Sequence, residues 1–281
     1  MHPDWLIPQW PAPDGVRAIC TTRAGGVSSG LFASMNLGDH VGDEPTCVAA
    51  NRCSLAQALN VQLVFMRQVH GSDVLELTGD DLGPLPRPSG GSQPLADAAL
   101  TRLPGLACTV LVADCLPILL AHRHLPLVAA LHAGWRGLAG QVDAAGRSMG
   151  VVETALAAMA SAAGCSMAAL AGDLLAWLGP CIGPQAFEVG AEVRAAFMRA
   201  DPGAGRRFAA GAAGKYWADL PALARDRLAA IGPVACYGND GSPAWCTVSQ
   251  SAFFSHRRCA ARPGALPGET GGRMAACIWL A

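Results

Sequence analysis

The sequence predicts an α/β (α+β) fold in which mixed sheets are covered by helices. Strand-like and helix-like segments alternate irregularly, two apolar runs flank a polar break in the manner of a hairpin, and no long series of βαβ units appears. Together these argue against a doubly wound parallel sheet. With 281 residues, 52% hydrophobic and 15% charged, the chain is long and apolar enough for a sizeable core, and one domain over 1–281 is expected.

In chain order, a segment rich in Pro and Trp, Pro3 to Pro13, precedes a strand over Val16 to Thr22 and the glycine turn Arg23-Ala24-Gly25-Gly26. Between Asp43 and Asn60 the spacing of Cys47, Val48, Ala50, Leu55 and Leu59 predicts a helix with Asp43 and Glu44 in its first turn, where the dipole favours acids. Val61 to His70 reads as a strand ending in Gln68-Val69-His70-Gly71, and Val74 to Leu77 as its continuation. Gly83 to Pro94 is the one long loop, and Ala96-Asp97-Ala98 leads from it into the hairpin. A helix is expected from Gly137 to about Ala163, weakened by Gly140, Gly146 and Gly150. Leu174 to Leu178 is a buried strand, Gly190 to Arg199 and Leu220 to Ile231 are helices, and strands near Val234 and over Met274 to Leu280 close the chain.

Composition removes several function classes. Pro, Gly, His or Arg interrupts every apolar run before the roughly 18 residues a membrane span needs. The start, Met1-His2-Pro3-Asp4-Trp5, lacks a basic n-region and an apolar h-region, so the cytoplasm is the expected compartment. Eleven cysteines, an odd number, are scattered without a C-x-x-C pair, so neither a disulfide framework nor a contiguous zinc motif is expected. The net charge of −1 and a single lysine, Lys215, give no electrostatic basis for nucleic-acid or membrane binding and leave little room for Schiff-base chemistry.

The chemistry concentrates in Ala113-Asp114-Cys115-Leu116-Pro117 and His132-Ala133-Gly134-Trp135-Arg136-Gly137. Leu106 to Val112 with Ile118 to Leu120 form one arm of the hairpin, Leu127 to Leu131 the other, and His122-Arg123-His124 the break. A turn centred between Arg123 and His124 sets Cys115 opposite His132, within reach of a shared proton or ion. With His70 at a strand end, the set of one thiolate and two imidazoles suits a metal ion with one position open. The separations match no contiguous ligand motif, so a hydrogen-bonded histidine, an inert thiol and a structural cap are the competing readings. Gly134-Trp135-Arg136-Gly137 leads into the helix expected to begin near Leu138, so that its free N–H groups and Arg136 form a candidate anion site for phosphate, set against a structural salt bridge with Trp135 in the core.

Cys20-Thr21-Thr22-Arg23-Ala24-Gly25-Gly26, Met35-Asn36-Leu37-Gly38, Arg67-Gln68-Val69-His70-Gly71, the two segments above and Leu178-Gly179-Pro180-Cys181-Ile182-Gly183 occur in that order. With Phe253-Phe254-Ser255 and Arg273-Met274-Ala275 near the end, the chain resembles the laccase-domain, YfiH-type family, once called multicopper polyphenol oxidoreductases. His256 stands where that family usually has tyrosine, and residues are added between Cys259 and Gly272. The resemblance implies a four-layer α-β-β-α sandwich and zinc on His70, Cys115 and His132, with copper as the alternative ion. It implies phosphorolysis of purine nucleosides, with methylthioadenosine phosphorolysis and adenosine deamination as companions. Arg136 would hold phosphate, Arg23 and Asn36 would frame the nucleoside, and Asp73 and Asp114 are candidate acids. The partners are then small molecules, with a monomer as the working expectation. A cysteine hydrolase acting on an amide in cell-wall precursor editing, a copper-dependent polyphenol oxidase and a non-catalytic nucleoside-binding protein are the alternatives. Seven scattered histidines cannot build multicopper clusters.

Overall fold

Alternate residues along the central strands face two different cores, and this alternation produces four layers, α-β-β-α. The computed structural model describes residues 2–82, 93–142, 148–266 and 268–281. It opens with β1 (Val16–Cys20), α1 (Pro45–Leu59), β2 (Gln62–Val64), β3 (Val74–Leu77), β4 (Ala98–Thr101), β5 (Leu106–Val112), β6 (Leu116–His122) and β7 (Val128–Ala133). There follow α2 (Trp135–Ala139), β8 (Gln141–Val142), β9 (Ser148–Met149), α3 (Val151–Ala163), α4 (Met167–Gly172), β10 (Leu174–Leu178) and β11 (Glu188–Gly190). The last third holds α5 (Ala191–Ala200), β12 (Phe208–Ala210), β13 (Lys215–Ala218), α6 (Leu220–Ile231), β14 (Ala235–Gly238), α7 (His256–Ala260) and β15 (Met274–Leu280).

A four-stranded sheet in the order β1-β15-β5-β2 lies against a six-stranded sheet in the order β14-β10-β6-β7-β4-β3, and both mix parallel with antiparallel pairs. Between them sit Cys108, Val110 and Ile278 from one sheet and Leu119, Ala121, Val128, Ala130 and Trp177 from the other. The opposite residues of β6 and β7, Ile118, Leu120, Ala129 and Leu131, pack outward on Val152, Leu156 and Leu223 of α3 and α6. Beyond the smaller sheet, Ala107, Leu111 and Cys277 meet Leu55 and Leu59 of α1. No helix among the described residues is long and apolar enough to cross a membrane, and all eleven cysteines are free thiols.

Five local expectations are corrected. Leu106–Val112 and Leu116–His122 are strands of different sheets, because Asp114 turns the chain with φ of 90° between them. The hairpin pairs Pro117 with His132, so its turn is centred between His124 and Leu125. Cys115 therefore lies diagonally from His132, two residues off the expected register; an even offset keeps both on one face. Val61–His70 is a strand only over Gln62–Val64, and His70 sits in a loop with φ of 61°. The helix expected from Gly137 breaks at Gly140, whose φ of 68° suits glycine and where a Cβ would stand 2.5 Å from the Gly150 nitrogen. Asp43 and Glu44 precede α1, with Glu44 at the N-cap. Most of the Gly83–Pro94 loop lies outside the described residues.

Candidate metal centre

His70, Cys115 and His132 converge at one end of the six-stranded sheet, on its face toward the smaller sheet. One ligand atom from each lies within 4.8 Å of the others, and Cys115 Sγ is 3.7 Å from His70 Nε2. The two imidazoles meet edge to face with centroids 4.8 Å apart. His132 is buried on β7, Cys115 is half-buried just before β6, and His70 is exposed. These three donors could hold a metal ion.

One carboxylate organises both histidines. Asp97, fully buried, accepts the Nδ1–H of His132 at 2.8 Å, which leaves His132 Nε2 free as a donor atom. Its two oxygens also accept the backbone N–H of Val69, His70 and Gly71 at 3.2, 2.9 and 2.6 Å. Those bonds hold His70 in the left-handed backbone region, which a non-glycine residue enters only under constraint. Gln68 ties the same loop to the other sheet through both backbone groups of Leu111, at 2.8 and 2.7 Å. The sequence reading passed over Asp97, although an acid inside the apolar stretch Leu95–Leu100 was its signal.

The charges fit a donor set. Burial works against the Cys115 thiolate, but the His132 charge, with hydrogen bonds from His132 and His70, outweighs it and brings the thiol down to about 6. Burial likewise disfavours a charged His132, and Cys115 and Asp97 outweigh it, raising the imidazole to about 9. Asp97 is held below the usual carboxylate range: the His132 hydrogen bond and charge and the loop N–H groups exceed the cost of burial.

The glycines of the second motif are spatial necessities. A Cβ on Gly134 would stand 2.7 Å from His70 Cδ2 and 3.1 Å from Cys115 Sγ; one on Gly137 would stand 2.5 Å from the Gly71 carbonyl oxygen. The donors fill the space that any other residue at 134 would take.

The remaining predicted residues divide. Arg136 is exposed and lies over the half-buried Trp135 ring at 4.5 Å, on a helix only five residues long. Arg23 is half-buried, donates from Nε to the Ala33 carbonyl at 2.8 Å and rests over the Phe254 ring at 5.2 Å. Asn36 is fully buried, its amide spent on Gly38, Asp43 and the backbone N–H of Arg273. The carboxylate of Asp114 is engaged on both oxygens, by Thr247 Oγ1 at 2.5 Å and the Arg257 N–H at 2.6 Å, which pins the turn beside Cys115.

The model of the multi-copper polyphenol oxidoreductase laccase family matches residues 17–281. The chain belongs to this laccase-domain family. Among curated members, the purine nucleoside phosphorylase YfiH of Shigella flexneri is 43% identical over 278 residues, 98% of each chain. A purine nucleoside phosphorylase of Pseudomonas aeruginosa is 42% identical over 279 residues, again 98% of each. Among solved structures, the Neisseria meningitidis protein NMB0706 superimposes with a TM-score of 0.80 at 39% identity, covering 99% of both chains. YlmD from Geobacillus stearothermophilus gives 0.82 at 31% identity, over 98% of this chain and 96% of its own. As a laccase-domain protein, the chain shares its architecture with these structures.

Proposed function

We propose that this laccase-domain protein is a zinc-dependent purine nucleoside phosphorylase. It converts adenosine, inosine or guanosine with phosphate into the free base and ribose 1-phosphate, with S-methyl-5′-thioadenosine phosphorolysis and adenosine deamination as side activities. The observation that carries this reading is the convergence of His70, Cys115 and His132 in front of Asp97, in a chain more than 40% identical to relatives named for that activity.

The donors fit zinc. With bonds of about 2.3 Å to sulfur and about 2.0 Å to nitrogen, tetrahedral ligands stand roughly 3.5 Å apart, close to the Cys115–His70 separation of 3.7 Å. A soft thiolate beside two imidazoles, with no fourth donor in the cluster among the described residues, matches a site that keeps a position open. Bound zinc supplies Lewis acidity toward an oxygen of substrate, phosphate or water.

The chain supplies the rest. Asp97 fixes the His132 ring through its Nδ1–H and the backbone segment that carries His70. In this reading Arg23, held on Phe254, would frame the nucleoside and the exposed Arg136 would hold phosphate. In the reaction a phosphate oxygen bonds to C1′ of the ribose as the C1′–N9 bond breaks, with its electron pair passing to the purine. Copper-dependent phenol oxidation has no histidine clusters to draw on among the described residues.

Metal analysis and a phosphate-dependent base-release assay test the proposal together. Stoichiometric zinc, lost in Cys115→Ala and His70→Ala along with phosphorolysis, supports it. Nucleoside binding without base release, in protein loaded with zinc and phosphate, overturns it. One observation favours a second reading: the Cys115 thiolate paired with a protonated His132 also suits nucleophilic attack on an amide. His70 beside the sulfur has no part in that chemistry, and hydrolysis of a cell-wall dipeptide precursor by metal-free protein would decide for it.

A further inference from the structure

The loop before the last strand presents a cation that the chemistry above does not use. The backbone N–H of Arg273 donates to Asn36 Oδ1 at 2.8 Å. Its Nη1 donates to Thr270 Oγ1 at 3.0 Å and to the carbonyls of Gly271 and Gly272 at 2.8 and 3.3 Å. These acceptors are all neutral. Among the described residues, Nε and Nη2 have no hydrogen-bond partner, and no carboxylate lies within ion-pair distance of the guanidinium.

The surroundings favour an anion at the Nε–Nη2 edge, whose nitrogens are not fully buried and so remain open to a ligand. Burial works against the Arg273 charge, and the acidic groups whose fields reach it are Cys115, Asp114 and Cys259. Cys115 belongs to the donor set, and Asp114 already accepts from Thr247 and Arg257. Its neighbours Arg257 and Arg258 likewise spend their guanidinium groups on main-chain carbonyls. The rim of the centre is therefore rich in positive charge and poor in counter-ions. Gly38 clears the path of the side chain, since a Cβ there would lie 2.7 Å from Arg273 Cγ.

A guanidinium anchored through one terminal nitrogen keeps the Nε–Nη2 edge for a bidentate oxyanion. We propose that Arg273 holds the phosphate co-substrate beside the metal donors through that edge, with Asn36 and Thr270 as its positioning residues. Arg273 is then the inner anchor and Arg136 the outer one. The proposal rests on the phosphorylase reading only for the identity of the oxyanion. A guanidinium serving merely as a bolt for the Thr270–Gly272 loop would leave phosphate affinity untouched when replaced.

The test is calorimetric titration of the zinc-loaded full chain with inorganic phosphate, alongside KM for phosphate with inosine, in wild type, Arg273→Lys, Arg273→Met and Thr270→Val. Loss of two charge-assisted hydrogen bonds predicts phosphate affinity down by about 100-fold or more in Arg273→Met, with Arg273→Lys intermediate. Thr270→Val, which frees the anchor, raises the phosphate KM about threefold while zinc content and inosine affinity hold. Arg273→Lys, the milder variant, decides the matter if Arg273→Met fails to fold. Wild-type phosphate affinity in Arg273→Lys overturns the proposal, as does a loss of inosine affinity equal to that of phosphate. Should wild type bind phosphate without turning over any nucleoside while Arg273→Lys binds it weakly, the anion site stands and the phosphorylase reading falls.

Discussion

Asp97 and His132 share a hydrogen bond of 2.8 Å, and the same carboxylate accepts three successive N–H groups from the loop that carries His70. One side chain therefore sets the ring of one metal donor and the backbone of another.

Asp97→Asn is expected to weaken zinc affinity about 10–100-fold while leaving all three donors in place. The amide supplies a donor where the loop requires an acceptor, so the His70 segment loosens too. Competition against a chelator of known affinity measures the first effect, and hydrogen exchange at residues 69–71 the second; unchanged zinc affinity would refute the role given to Asp97.

Gly134→Ala should abolish zinc binding with the sheets intact. Its methyl would lie 2.7 Å from one donor ring, closer than real Cβ contacts allow, and a tight 3.1 Å from the sulfur, so the ligand cluster must spread. Metal content by elemental analysis, read beside an unaltered far-ultraviolet spectrum, checks this.

In metal-free protein the thiol of Cys115 should react as thiolate near neutral pH. Its folded value of about 6 lies below the ordinary 9.0 of a cysteine, so this contribution to stability is present above 9 and is lost as pH falls through 6. His132 has the opposite sign: raised from 6.5 to about 9, it stabilises below 6.5 and ceases to as pH rises through 9. The ion pair thus spans about pH 6 to 9. Iodoacetamide labelling of Cys115 should rise with a midpoint near 6, and zinc should block it; a midpoint near 9 would contradict the pairing.

Asp114→Ala removes both acceptor oxygens and leaves the Thr247 hydroxyl and the Arg257 N–H without the partner that now holds the turn. A loss of about 1–3 kcal/mol in unfolding free energy is expected. Denaturant titration measures it, and an unchanged midpoint would remove Asp114 as the pin of the crossing between sheets.

The hairpin was legible because two apolar runs bracket a polar break, and its face assignment survived a register error because the offset was even. The turn itself, Arg123 to Pro126, carries no glycine to mark its centre, and the His122 N–H bond to Leu127 fixes it only in three dimensions. His70 was read as a strand end because Val61–Val64 is apolar; the left-handed backbone that aims its ring comes from Asp97, distant in sequence. Asn36 drew notice as part of a motif, yet its amide serves the protein interior, and the residue it supports, Arg273, was quoted without a role. Side chains that hold other side chains leave little trace in periodicity, since their partners lie on separate segments.

The three donors come from the loop before β3, the crossing into β6 and the end of β7, and His70 reaches the others only once β3 has paired with β4 and β4 with β7. No shorter fragment of the hairpin holds the complete set. Ion capture in this chain must therefore follow closure of the larger sheet, so the metal acts as a late clasp on a finished architecture and not as a seed for its assembly.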